Sequence, residues 1–413
     1  MAKLKKLNKS TLLIALCWLA YACSYIGKLS YSANINQIGE AFGISYADAG
    51  MVSTFFFFAY GIGQVVNGIF CKKYNVKLVI FASLIAASLI NVLVVSVPSF
   101  SLMKYLWLGN GIAMSFLWTS LIRLLSETLD KNDMPRAIVA MGTTVATGTF
   151  IVYGMSAIFA AVGNFRVTFY VAAAIMVAVA VIWIASFDSL VTPLKAERAL
   201  DMETSSGSES QGHTNLSLAL RVMLITLAFF AVANNFVKDG LTSWTPDILA
   251  ATYDTPGWLS ILLTLLLPVM AIFGAVVAVN LQKKLQSFVG SCTVLFALSS
   301  ALIGAVLGLL GTGLLPVTIG CFAIVSCLMA GVNNIITSMV PLHMKQNGAN
   351  SGLLAGLLNG CCYLGSTISS YGLGAVADAF NWRAVFVLLL SVGCVVTLIG
   401  AVHATITKIK ERH

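Results

Sequence analysis

Charge is what this chain has least of. Asp, Glu, Lys and Arg make up 9% of its 413 residues, against about 25% in a soluble domain, so water is not the only solvent of the fold. Histidine is equally scarce. The four present, His213, His343, His403 and His413, fall in loops or near the ends of apolar runs, leaving no HExxH motif and no mid-segment imidazole for a metal or a proton relay. The nine cysteines include no CxxC pair and sit in or beside apolar runs, which argues against a disulfide framework or a zinc ribbon. They read as small packing residues. No GxxxxGK[ST] loop is present, so an ATP-driven pump is not expected. Neither a cofactor nor a metal is called for.

What the chain has in excess is apolar length: 59% of its residues are hydrophobic. Twelve segments each approach the ~20 residues that cross ~30 Å of hydrocarbon: 10–33, 47–71, 76–97, 101–127, 137–163, 166–187, 218–248, 257–281, 286–311, 314–341, 349–377 and 381–407. The single long polar stretch, 188–217, divides them into an N-terminal set (1–187) and a C-terminal set (218–413). The expected fold is an all-α membrane protein of twelve transmembrane helices in two pseudo-symmetric six-helix bundles. Cleavage after Ala22 as a signal peptide would discard half of the first span, so the start is read as span 1.

Most of the 24 Lys and Arg fall on the side shared by both termini and the 188–217 loop. Lys104, Arg166 and Arg383 fall opposite. The positive-inside rule places the termini and the loop in the cytoplasm, with the protein in the cytoplasmic (inner) membrane. That collar accounts for the net charge of +9, so no nucleic-acid partner is invoked. The lipid bilayer is the partner, and a self-contained pair of bundles makes a monomer the default.

An internal echo supports the division. Gly163-Asn-Phe-Arg-Val-Thr-Phe169 resembles Phe380-Asn-Trp-Arg-Ala-Val-Phe386, and each leads into the sixth span of its half. Repeated bundles with a substrate path between them at mid-membrane are expected of a secondary transporter.

Three cations lie inside spans, Lys28, Lys238 and Arg123, against one acid, Asp239. Each costs about 2.5–3.5 kcal/mol at a span centre even on the lenient insertion scale. Counted at 1.5 Å per residue from Lys9 and Arg221, Lys28 and Lys238 stand roughly 28 and 26 Å above the basic collar, one per half at one level. A bound anion between them relieves their repulsion. The alternative is that Asp239 neutralises one of them; helix neighbours point about 100° apart, so it would have to reach around or across a helix. Arg123 is explained by Glu127 one turn on.

Tyr21, Tyr25, Lys28, Ser32 and Asn36 share one face of span 1, where phenol hydroxyls could donate to an oxyanion. Tyr60 and Gln64 in span 2, Asn333 in span 10, and Asn359 and Tyr363 in span 11 would complete a polar cavity. Each alone could equally be helix-to-helix glue. Asp239 is the one candidate for coupling transport to a cation.

At these residues the chain resembles the major facilitator superfamily, and within it the organophosphate:phosphate antiporters. The resemblance rests on Tyr21-x3-Tyr25-x2-Lys28, on KDGLTSWTP from Lys238 to Pro246, and on Tyr363-Leu-Gly-Ser with the following GLGAVADAFNWRAVF. It implies that Lys28 and Lys238 grip a phosphate while Tyr21, Tyr25, Tyr60 and Tyr363 line the site. Departures are visible: lysine stands at both gripping positions where bacterial members carry arginine, Gln64 stands for a lysine, Thr143 for a histidine, and Cys71 for an aspartate. The implied activity is transport of a small organic anion, first an organophosphate, with inorganic phosphate as counter-substrate. A carboxylate such as a sugar acid, carried with H⁺ or Na⁺, is the alternative cargo, and a membrane sensor of an external sugar phosphate is the alternative class. No enzyme is read, because no nucleophile, base and oxyanion donor can be assembled.

Changing Lys28 and Lys238 together to arginine is expected to shift preference toward phosphate esters, since the guanidinium fork matches phosphate bidentately. Competition between glucose 6-phosphate and glucuronate for uptake measures the shift; an unchanged ratio would mean that phosphate geometry is not what the site reads.

Overall fold

A computed structural model describes residues 2–70, 73–97, 99–130, 133–203, 218–346 and 351–410. The positions of Cys71, Lys72, Lys131 and His213, and residues 204–217 of the central stretch, lie outside them. The described residues form α1 (Ala2–Ala33), α2 (Ile35–Phe42), α3 (Tyr46–Phe70), α4 (Val76–Ser96), α5 (Phe100–Ser115), α6 (Leu117–Thr128), α7 (Met134–Ala161) and α8 (Arg166–Glu203). The second half holds α9 (Leu218–Tyr253), α10 (Gly257–Thr264), α11 (Leu266–Ala271), α12 (Gly274–Leu285), α13 (Phe288–Leu309), α14 (Leu315–Asn334), a π-turn at Ile335–Met339, α15 (Val340–Gln346), α16 (Ser351–Ala379) and α17 (Trp382–Lys410). Among the described residues, eleven spans are long and apolar enough to cross a membrane. The 29-residue α16, packed along α3, completes twelve.

Prolines set the breaks. Pro268 cannot donate to the Thr264 carbonyl, and the eighth span splits there into α10 and α11. Pro341 follows the π-turn of the tenth span, which begins directly after Asn333 and Asn334. In α9, Pro246 leaves the Thr242 carbonyl without its helical donor, and the Tyr153 hydroxyl of α7 donates to it at 3.5 Å. A helix defect thus becomes a bond between the two halves.

The stretch expected to begin a loop at 188 instead continues α8 to Glu203 through Pro193. It is tied to the end of α6: Lys195 lies 3.4 Å from Glu127, and Arg198 donates to the Leu129 carbonyl at 2.6 Å. Arg123 pairs with Glu127 at 2.5 Å, as its one-turn spacing predicts.

Within the first half α1 packs on α7 and α8, and α5 on α3 and α4; within the second, α14 packs on α9 and α13, and α17 on α13. The halves meet along α3 with α16 and along α7 with α10 and α11. The α3–α16 seam is antiparallel and nearly backbone to backbone. A Cβ on Gly50 would stand 2.0 Å from the Ser370 carbonyl oxygen, and one on Gly374 2.5 Å from that of Tyr46. Further along, Thr54 donates to the Thr367 carbonyl at 3.1 Å, and Gly61 abuts Tyr363.

At the face opposite the termini, Asp378 of α16 caps α3 by accepting from the backbone N–H of Tyr46 (3.0 Å) and Ala47 (2.6 Å). Tyr46, Trp244 and Trp382 form an aromatic plug with centroids 5.0–6.0 Å apart. The molecule is closed on this far face.

Gly50→Leu should wedge α3 from α16 and open that face. Spin labels at Val162→Cys and Phe380→Cys, on exposed far-face turns of the two halves, should then report a longer distance; an unchanged distance would show that the close approach is not what seals the face.

Candidate functional site

The centre of the interface is built on two helices, α1 and α9. One helical face of α1 carries Tyr21, Tyr25 and Lys28 inward. Lys28 is 6% exposed, and its Nζ lies over the rings of Tyr60 (4.3 Å), Tyr25 (4.9 Å), Tyr363 (5.0 Å), Phe56 (5.7 Å) and Phe57 (5.8 Å). Its one recorded hydrogen bond is a long one, 3.5 Å to the Tyr363 hydroxyl. Cation–π contacts are worth roughly 0.5–2 kcal/mol. They soften the burial of this ammonium without cancelling its charge.

The rings come from both halves: Tyr60 lies 4.6 Å from Tyr363 across the α3–α16 seam. Tyr21 contacts Tyr25 at 5.4 Å and Trp118 at 4.7 Å. The four tyrosines expected around Lys28 are therefore together. Phe56, Phe57 and Trp118 join them; nothing in their apolar runs distinguished them from lipid-facing or core aromatics.

Lys238 differs from expectation. Its Nζ is 3.2 Å from Asp239 Oδ1, with both side chains about a fifth to a quarter exposed. The premise of two uncompensated ammonium groups fails at this residue. The neighbour reaches because its other oxygen is pinned: Asp239 Oδ2 accepts from Asn235 Nδ2 at 3.0 Å, one turn back on α9, and from Ser366 Oγ of α16 at 2.5 Å. Asn235 in turn donates to Ser366 (3.2 Å) and accepts from Asn234 (3.0 Å). Lys28 stands within electrostatic reach of both members of the pair.

Gln64 is buried and spent within the first half, donating to the Ser115 carbonyl at 3.1 Å and accepting from Thr119 at 3.3 Å. Helix-to-helix glue describes it in this conformation. Asn333 accepts from the Cys362 thiol at 3.6 Å, and Asn359, one turn before Tyr363, is half-buried. Thr143 accepts from the Trp18 indole at 2.9 Å.

A second acid also lies in the span. Asp247 is 2% exposed on α9, accepting from Asn36 Nδ2 of α2 at 3.2 Å. The sequence reading ended span 7 beside it and passed it over; the helix runs on to Tyr253.

Twelve spans, a seam between two bundles and a buried ammonium in a polar aromatic chamber at that seam define a membrane carrier. The family model described as Major Facilitator Superfamily matches residues 17–370, and the chain belongs to that superfamily. Relatives include a "Probable hexose phosphate transport protein" of Chlamydia pneumoniae, 23% identical over 92% of this chain and 88% of its own. Another is the "Membrane sensor protein UhpC" of Escherichia coli K12, 23% identical over 90% and 87%. The resemblance read from the sequence agrees with these relatives. Among solved structures, a bacterial homologue of the lysosomal transporter Spinster, inward-facing and occupied, superposes with a TM-score of 0.74 at 14% identity, covering 96% of this chain and 97% of that one. A POT family transporter bound to a thioalcohol-conjugated peptide gives 0.75 at 12%, covering 95% and 96%. They establish the fold. The protein is a multi-pass membrane transporter and not an enzyme.

Removing the hydroxyl and amide that pin Asp239, by Ser366→Ala with Asn235→Ala, deletes hydrogen bonds to a charged group worth about 1.5–3 kcal/mol each. The melting temperature in detergent should fall by several degrees; an unchanged value would show that Asp239 is not held this way.

Proposed function

We propose that this chain carries a small organic anion by alternating access, with an organophosphate such as a sugar phosphate or glycerol phosphate as first cargo and inorganic phosphate as counter-substrate. The observation that carries the reading is Lys28. Its ammonium is buried between the bundles, walled by rings of both halves, and among the described residues no carboxylate lies within ion-pair distance. An anion arriving there relieves a buried charge, can take hydrogen bonds from Tyr21, Tyr25, Tyr60 and Tyr363, and draws the halves together around it. The relative whose name gives hexose phosphate transport supports the phosphate ester. Both termini and the α8 extension face the cytoplasm in this reading, because the basic residues gather there.

The Lys238–Asp239 pair shapes the mechanism. Asp239 serves the empty carrier as an internal counter-ion, and the cargo's anionic group competes with it for Lys238. The same pair favours a second reading. Lys28, Lys238 and Asp239 together carry one net positive charge, which a monoanion such as a sugar acid balances and a phosphate dianion exceeds. A buried site prefers neutrality.

Flux in proteoliposomes tests both. Lys28→Ala should lower uptake of labelled glucose 6-phosphate, glycerol 3-phosphate or glucuronate by about two orders of magnitude, the scale of removing one partner of a buried charge contact. Uptake at wild-type rates would sink the site. Asp239→Asn should raise the ratio of phosphate ester to glucuronate uptake; an unchanged ratio would mean that Asp239 does not compete for Lys238. Binding without flux would assign the chain to sensing instead, as the name of the UhpC relative describes that protein.

A further inference from the structure

Negative charge gathers on the far face, in a cleft of about 280 Å³ between the halves. It is lined by Asn36, Glu40, Ser45 and Tyr46 from the first half and by Asp247 and Asp378 from the second. Three of these six are acids, and among the described residues no Lys or Arg lies within ion-pair distance of them. Asp378 is committed, with both oxygens on the backbone N–H groups of Tyr46 and Ala47. The other two are not. Asp247 is 2% exposed, accepts one hydrogen bond, from the Asn36 amide at 3.2 Å, and keeps Oδ2 buried without a partner. Glu40 is exposed, comes from the opposite half and stands within electrostatic reach of Asp247, like charge against like. A buried carboxylate held by one amide is costly in its charged form unless a cation joins it. A proton suffices for Asp247 alone and leaves Glu40 unmatched.

The donor set selects the kind of cation. A hard metal ion needs a ring of oxygens, yet among the described residues no three His, Cys, Asp or Glu side chains come close enough to hold one. A second cleft of about 380 Å³ shares Glu40 and adds Gln37, whose Oε1 is also buried without a partner. Unpartnered acceptors call for N–H donors, and an ammonium brings three. The ring of Tyr46 beside them suits the alkyl stem of such a cation. We propose that this cleft binds a small organic diammonium from the far-side solution, one nitrogen on Asp247 and the other on Glu40. The volume admits a short-chain diamine rather than a larger ligand. Because the two carboxylates belong to different halves, the occupant ties them together where Asn36 already meets Asp247. It binds the shut far face better than the parted one and so, by linkage, holds that face shut. The site is separate from the chamber: Asp247 lies two turns beyond Asp239 on α9, about 12 Å at 1.5 Å per residue. Its ligand therefore regulates and is not carried.

The inference does not depend on what the chamber carries, so its test needs no transport substrate. The full chain in nanodiscs is titrated calorimetrically with 1,4-diaminobutane at fixed ionic strength. Saturable binding of one diamine per chain is expected, with butylamine about tenfold weaker because it meets a single carboxylate. Glu40→Gln should weaken the diamine about tenfold and Glu40→Asp by less, while Asp247→Asn should cost about two orders of magnitude. Absence of saturable binding would overturn the proposal. So would magnesium binding as tightly as the diamine, which marks plain counter-ion attraction. Unchanged affinity in Glu40→Gln, a change at an exposed position, would overturn it however Asp247→Asn behaves. Spin labels at Val162→Cys and Phe380→Cys read the effect on the face itself. The diamine should raise the share of the short distance; a lengthened or unchanged distribution would overturn its holding role.

Discussion

A single positive charge in a low-dielectric enclosure organises the centre of this molecule. Lys28 cannot be moved to water without unmaking the seam, because two of the rings that face it, Tyr60 and Tyr363, belong to different halves and touch each other. The aromatic walls supply quadrupole attraction while excluding the solvent that would otherwise screen the ammonium. What remains is an electrostatic deficit that a mobile anion can fill. The chamber suits an anion because its own atoms leave one charge unanswered.

The seam that encloses this charge sets close helix approaches and broken helices beside its aromatic contacts. Helices in lipid gain no hydrophobic drive from burying leucine against one another, so close backbone approach and isolated polar bonds carry much of the contact between the halves. Gly50 against Ser370 and Gly374 against Tyr46 supply the first. The Tyr153 hydroxyl on the carbonyl freed by Pro246 supplies the second. Such contacts are specific in register yet individually weak.

Much of this was legible beforehand. Apolar length marked twelve spans, the echo of 163–169 in 380–386 suggested a grouping of six and six, and the four-and-three spacing of Tyr21, Tyr25 and Lys28 placed them on one face. Period and composition carry that information directly. Three features were hidden because they depend on contacts across space. Asp239 reaches its own neighbour Lys238 only because Ser366, on a helix 127 residues away, anchors its other oxygen. Gln64 looked like a ligand until α5 and the start of α6 took both ends of its amide. Asp247 looked like the edge of a span, since only the packing of α2 against α9 buries its side chain.

The cap that Asp378 places on α3 has an energetic consequence of its own. Two amides at the start of a transmembrane helix find their acceptor on the opposing bundle, and a lost cap costs about 1 kcal/mol. Parting the bundles on that side strips the helix of its acceptor at the moment the aromatic plug comes apart. The cap thus favours the shut far face, and any parting of the bundles there has to offset an uncapped helix dipole.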